Sequence, residues 1–153
     1  MKLRAVYRSG ILSVAFTAIL FGFQQQDPWQ TKELLSPADA AAKLSGTKNE
    51  GHLLLHVGFE AVYKGGHIAA STYVGPGNSP EGLAKLENAV KGVAKNRAII
   101  MYCGCCPMEK CPNIRPAYRK LKELGYSNVQ VISIPSNLHK DWAEPGYPFA
   151  KGS

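Results

Sequence analysis

Apolar and polar positions along this chain switch repeatedly between short uninterrupted runs and longer stretches of helical period. Leu53-Leu54-Leu55-His56-Val57, Ala98-Ile99-Ile100-Met101-Tyr102 and Val129-Gln130-Val131-Ile132-Ser133-Ile134 are the compact apolar runs. Runs of this length read as strands buried on both faces of a sheet. Ser36-Pro37-Ala38-Asp39 is a helix start: Ser36 caps, Pro37 suits the first helical position and Asp39 favours the positive helix end. That helix runs to Leu44 and stops near Gly46. A second, capped by Asn78 or Ser79 and running from Pro80 to about Lys95, carries Leu83, Leu86, Val90 and Val93 on one stripe. A third runs from Ile114 to Leu124, with Gly125 as its left-handed cap. With Asn113 as N-cap, Pro116 takes the third helical position, where no intrahelical N–H bond is lost. Phe59 to Tyr63 predicts a short helical turn, Ala69 to Val74 a further strand, Gly75 to Pro80 a loop, and Trp142 to Tyr147 a closing turn. Strands alternating with helices predict an α/β fold with a mostly parallel central sheet flanked by helices. In such sheets chemistry sits at the carboxyl ends of strands.

Residues 1–23 break this pattern. Lys2, Arg4 and Arg8 precede an uncharged stretch, Gly10 to Phe23, that ends abruptly at Gln24-Gln25-Gln26-Asp27-Pro28. This predicts a signal peptide or, because small residues are scarce around Phe21-Gly22-Phe23, an uncleaved N-terminal anchor. The apolar length is short of the roughly 20 residues of a membrane span. Residues 24–33 follow as a polar linker and residues 34–150 as one domain with a modest core. The expected location is exported and periplasmic, with membrane contact confined to the N-terminal segment.

Charge adds little. The formal net charge of +7 falls to +4 without Lys2, Arg4 and Arg8. The remaining Lys and Arg are scattered, which reads as a solvated surface and not as a nucleic-acid stripe.

Cysteine changes the picture. All four, Cys103, Cys105, Cys106 and Cys111, fall in one loop between an apolar run and a helix. Four thiols so close in sequence cannot staple distant parts of a fold, which shifts weight to chemistry or metal binding. Cys103 is the first residue after the strand. Backbone N–H groups of Gly104, Cys105, Cys106, Pro107 and Met108, as far as each residue has one, would form a cradle for its thiolate, with the helix end adding positive potential. Lys110 and Arg115 are the candidate anion-binding side chains. His67 reads as a hydrogen-bonded structural residue and Trp29 and Trp142 as packing residues. His56, at a strand end, reads as structural or as facing the loop.

Several segments together resemble a single-domain rhodanese, in this order. Gly66-His67-Ile68-Ala69-Ala70-Ser71 is similar to that family's Gly-His-Ile-x-Gly-Ala. Ile99-Ile100-Met101-Tyr102-Cys103 is similar to its strand ending in Tyr-Cys. Leu121 to Val129 is similar to its Leu-x-x-x-Gly-Tyr-x-Asn-Val, and Trp142 with Gly146-Tyr147-Pro148 to its closing Trp and Gly-Tyr-Pro. The family's Asp-Val-Arg reads His56-Val57-Gly58, and the loop after Cys103 is several residues longer than the compact family loop. The resemblance implies a rhodanese-like three-layer fold and persulfide transfer through Cys103.

Three chemistries therefore compete for the loop. The first is sulfur transfer from a sulfane donor such as thiosulfate to cyanide, a small thiol or a protein thiol. It needs no cofactor, and Cys106 or Cys111 would be the resolving thiol. The second is thiol–disulfide exchange through the Cys103-x-x-Cys106 pair. The third is a soft-metal site for zinc, copper or an iron–sulfur centre on Cys103, Cys105, Cys106 and Cys111.

Overall fold

The computed structural model describes residues 27–45 and 51–152. The signal peptide or anchor, linker residues 24–26 and the helix stop at Gly46 lie outside the described residues. None of the described helices is long and apolar enough to cross a membrane.

The elements are β1 (Leu34–Leu35), α1 (Pro37–Ser45), β2 (His52–His56), α2 (Glu60–Gly65), β3 (His67–Ile68), β4 (Thr72–Tyr73), α3 (Pro80–Val90), β5 (Ala98–Tyr102), α4 (Ile114–Glu123), β6 (Val129–Ile132) and β7 (Phe149–Ala150). Five strands form one parallel sheet in the order β1-β6-β5-β2-β4, and β3 pairs antiparallel with β7 in a separate ribbon. The expected α/β architecture is present, with β5 at the centre of the sheet. The expected Ala69–Val74 strand is shorter than its apolar pattern, because the chain turns after β3 at Ala70.

Strand parity divides the core and aims the loop. Ile99 and Met101 face one side of the sheet, where they pack with Leu86, Val90, Ile114, Ala117, Tyr118 and Leu121 of α3 and α4. Ile100 and Tyr102 face the other, packing with Ala40, Ala41 and Leu44 of α1 and with Trp142. Successive strand residues point to opposite faces. Cys103 thus continues the Ile99 and Met101 series and enters the α3/α4 side, where it is buried.

Two sequence expectations change. Helix α3 ends at Val90 and not near Lys95. Lys91 is already extended, and Gly92 takes φ +80, a left-handed conformation that stops the helix. Val93 still packs on the core, because its N–H bonds back to Val90 and keeps it on the apolar stripe. The linker also differs in its described part. Trp29 is buried edge-on against Tyr118, at 5.6 Å between ring centroids, and Asp27 is paired with Arg115. An indole with such a partner gains more from burial than from solvent, so residues 27–33 are docked on the domain.

Tyr102 ties the two layers together. Its hydroxyl accepts from Ile68 N–H at 2.9 Å and bonds Ser71 Oγ at 2.8 Å. The Gly66–Ser71 segment is thereby fixed to the strand that delivers Cys103. His67 bonds Tyr63 O through Nδ1 and stacks on the Tyr63 ring, a structural arrangement. Trp142 donates to Pro148 O.

Ala70 is the only non-glycine at positive φ among the described residues, at +63. It stands where the resembling motif has glycine. An L-residue in this region carries roughly 1–2 kcal/mol of strain, partly offset by the larger unfolded-state entropy of glycine. Ala70→Gly should raise stability by about 0.5 kcal/mol, read as a higher thermal unfolding midpoint. An unchanged or lower midpoint contradicts it.

Candidate active site

The loop after β5 is built from its first glycine. Gly104 takes φ +76, and a Cβ there would lie 2.9 Å from Leu138 Cβ. This turn brings Cys105 back over the strand end, where its sulfur lies 3.2 Å from Cys103 Sγ. Cys106 Sγ lies 3.2 Å from Cys105 Sγ, and no hydrogen bond joins it to Cys103. The Cys103/Cys106 pair expected for dithiol exchange is therefore not the contact the loop makes; the reversal at Gly104 favours Cys105. Cys111 returns from the far end of the loop, and the sulfurs of Cys103, Cys105 and Cys111 all lie within 4.8 Å of one another. All four thiols are unbridged.

The expected N–H cradle is only partly available. Met108 N–H donates to Ile134 O at 2.9 Å, and Pro107 has no N–H to give. Cys105 N–H does face the Cys103 sulfur. The N–H groups of Asn113 and Ile114, at the start of α4, face Cys111 instead. The longer loop separates the helix end from Cys103.

The sequence missed a further donor. Asn113 holds the N-cap position but caps nothing. Its side chain is fully buried, with Nδ2 donating to Cys103 Sγ at 3.5 Å and Oδ1 accepting from Asn78 N–H at 3.3 Å. The only sequence signal was an amide directly before the helix, and capping explained it equally well. In Asn113→Ala any reaction that places charge on the Cys103 sulfur should slow by about 10-fold while the chain stays folded, since one neutral hydrogen bond to that sulfur is worth about 1.5 kcal/mol at most. An unchanged rate of Cys103 modification by a thiol reagent, measured with stability checked separately, contradicts the role.

Arg115 is not free to bind an anion. Nε and Nη2 bind Asp27 Oδ1 at 2.8 and 2.6 Å, while Nη1 donates to Met108 O and Cys111 O. It is buried over the Trp29 ring. Its work is to hold the loop's end against the docked N-terminal stretch. Lys110, by contrast, is exposed on the Met108–Lys110 turn.

His56 is wholly buried among Tyr63, Tyr73 and Tyr102. Nδ1 accepts from Gly58 N–H, and Nε2 has no hydrogen-bond partner. Burial lowers its pKa to about 4, so the ring is neutral. A Cβ at Gly58 would lie 2.8 Å from the His56 ring and 3.0 Å from Cys103 Sγ. The imidazole and the thiol together leave no room for a side chain there, which accounts for His56-Val57-Gly58 in place of Asp-Val-Arg.

The four thiols divide by environment. A hydrogen bond from Cys103 lowers Cys105 to about 5. Cys111 falls to about 7 through Cys103 and then the N–H groups of Asn113 and Ile114. Cys103 is held up by donating to Cys105 and Cys111 and by burial. Burial also pushes Cys106 up to about 12. A proton on Cys103 shared with a Cys105 thiolate is the arrangement these contacts favour. Beside the thiols is a cavity of about 10 Å³, lined by Cys103, Cys106, Cys111, Met108, Ile114 and Ile134 among others. That enclosed space has room for about one small atom.

No protein-family profile and no curated protein matches the chain. Solved structures do. The BH2092 protein of Bacillus halodurans is 23% identical, with a TM-score of 0.58 covering 76% of this chain and 75% of that one. A rhodanese-like domain from Anabaena sp. is 18% identical, with a TM-score of 0.55 over 78% of this chain and 79% of that one. The thiosulfate sulfurtransferase of Pseudomonas aeruginosa is 20% identical, with a TM-score of 0.54. That match covers 78% of this chain and 20% of the larger protein. The chain has a rhodanese-like fold, as its motifs implied, and the cysteine cluster occupies the carboxyl end of its central strand.

Proposed function

We propose that the chain is a sulfurtransferase that carries sulfane sulfur as a persulfide on Cys103. The observation behind this is the placement of Cys103: central strand, carboxyl end, with Cys105 Sγ at 3.2 Å and the Asn113 amide beside it. One fold neighbour is a thiosulfate sulfurtransferase, which supports thiosulfate as a donor. Cys105 takes the proton from Cys103 as its sulfur attacks the outer sulfur of thiosulfate. A Cys103–S bond forms, the thiosulfate S–S bond breaks, and sulfite leaves with the electron pair. Cyanide or a thiolate, free or on a partner protein, then attacks the outer sulfur of the persulfide and returns Cys103 as a thiolate. The Cys105 N–H and the Asn113 amide stabilise the charged sulfur. Lys110 supplies positive potential for an anionic donor.

Cys105, not Cys106, is the resolving thiol in this reading. Cys105, carrying the proton taken from Cys103, attacks Cys103 Sγ and passes that proton to the departing sulfur, giving a Cys103–Cys105 disulfide and hydrosulfide. The reading includes export, on the strength of the basic and apolar first 23 residues. Incubation with thiosulfate should add the mass of one sulfur atom to a peptide containing Cys103, and added cyanide should remove it as thiocyanate. Sulfur found on another cysteine, or none at all, sinks the assignment.

A further inference from the structure

The sulfurs of Cys103, Cys105 and Cys111 converge from three directions. Cys103 ends β5, Cys105 sits on the turned-back loop, and Cys111 precedes α4. All three lie within 4.8 Å of one another, with the shortest pair at 3.2 Å. Three thiolates about 2.3 Å from a common ion stand roughly 4 Å apart in a trigonal plane. The set reaches that shape with shifts of about an ångström or less. Two of the three are already fixed. Cys103 is held by the central strand, and Cys111 by the Arg115 bond to its carbonyl and by the α4 N–H groups at its sulfur. Cys105 is half-buried, so it can admit an ion and close over it.

We propose that Cys103, Cys105 and Cys111 form a three-coordinate thiolate site for Cu(I), from which Cys106 is excluded. Thiolates are soft ligands and select soft ions. Zinc in a structural site takes four ligands, and only three sulfurs converge within 4.8 Å of one another here. Cys106 meets Cys105 and Cys111 but lies outside the three converging sulfurs, and the His56 ring does not join them either. The Asn113 amide at Cys103 and the α4 N–H groups at Cys111 offset the charge of adjacent thiolates. This inference does not depend on sulfur transfer. It does make the two states of Cys103 exclusive, since one sulfur cannot carry both a sulfane sulfur and the ion.

The test is an anaerobic titration of the reduced full chain with Cu(I), in competition with bathocuproine disulfonate. One Cu(I) per chain is expected, and X-ray absorption of the wild-type complex should show three sulfur neighbours. Cys105→Ser and Cys111→Ser should each weaken binding by at least about 100-fold, and Cys106→Ser should bind like the wild type. Two or four sulfur neighbours, equal loss in Cys106→Ser, or tighter retention of Zn(II) than Cu(I) overturns the site. Circular dichroism identifies a variant that fails to fold, and the sulfur count on the wild type then decides. Thiosulfate turnover is measured separately on metal-free chain. Turnover without copper binding refutes this inference alone, and copper binding without turnover refutes only the sulfurtransferase reading.

Discussion

Cys103→Ser should reduce thiosulfate-dependent thiocyanate formation to the uncatalysed rate, a loss of at least about 10³-fold. A serine hydroxyl cannot hold a sulfane sulfur under the same conditions, and no binding contribution compensates for a missing nucleophile. The neighbouring thiols give graded controls. In the proposed reaction Cys105→Ser removes the group that receives the Cys103 proton, and positioned proton transfer contributes about 10²–10⁴-fold. Its loss should therefore be large but smaller than that of Cys103→Ser. Cys106→Ser should retain most activity, because Cys106 bonds Cys105 and not Cys103. If Cys105→Ser abolishes turnover while Cys103→Ser leaves it measurable, the nucleophile is Cys105 and the strand-end assignment fails.

Gly77→Ala should be the most damaging small substitution near the site. A Cβ at Gly77 would lie 2.2 Å from Asn113 O and 2.8 Å from Ala117 Cβ. The obstacle is backbone on the first turn of α4, which cannot rotate aside. The Gly77 N–H is also bound to Val57 O, and Asn78 N–H to Asn113 Oδ1. The loop and the helix start therefore move together. Overpacking of this kind costs about 3 kcal/mol. Urea unfolding should show a lower midpoint at unchanged slope. The same displacement draws the Asn113 amide away from Cys103, so turnover should fall as well. A variant with wild-type stability would show that α4 shifts freely, which the packing of Ile114, Ala117 and Leu121 argues against.

The legible part of the site was its position. The Ala98–Tyr102 run predicted a buried strand, and the strand runs over those residues with Cys103 next. Its apolar character on both faces was visible because parallel central strands bury both. The start of α4 was legible for a similar reason, since only one placement of Asn113 accommodates Pro112 and Pro116. Less legible were the side chains that meet across the sequence. Arg115 looked like an anion ligand because it is a cation near thiols; its partner, Asp27, is 88 positions away. Asn113 looked like a cap because caps are local and its contact with Cys103 is not. The end of α3 was misplaced because the apolar stripe continues through a turn that Gly92 opens.

By itself the sequence determined the alternation of strands and helices, the buried strand Ala98–Tyr102 and the cysteine-bearing loop at its carboxyl end. These follow from local periodicity and turn chemistry, which each segment carries within itself. The tertiary structure alone decided which thiol meets which. Gly104 reverses the chain, so sequence spacing does not translate into sulfur separation. Cys105 and Cys111 join Cys103, while Cys106 meets Cys105 and Cys111 outside that group. Whether a donor surrounds the reacting sulfur depends on chain segments brought together only by packing: the Gly77–Asn78 loop, the first turn of α4 and the end of β5.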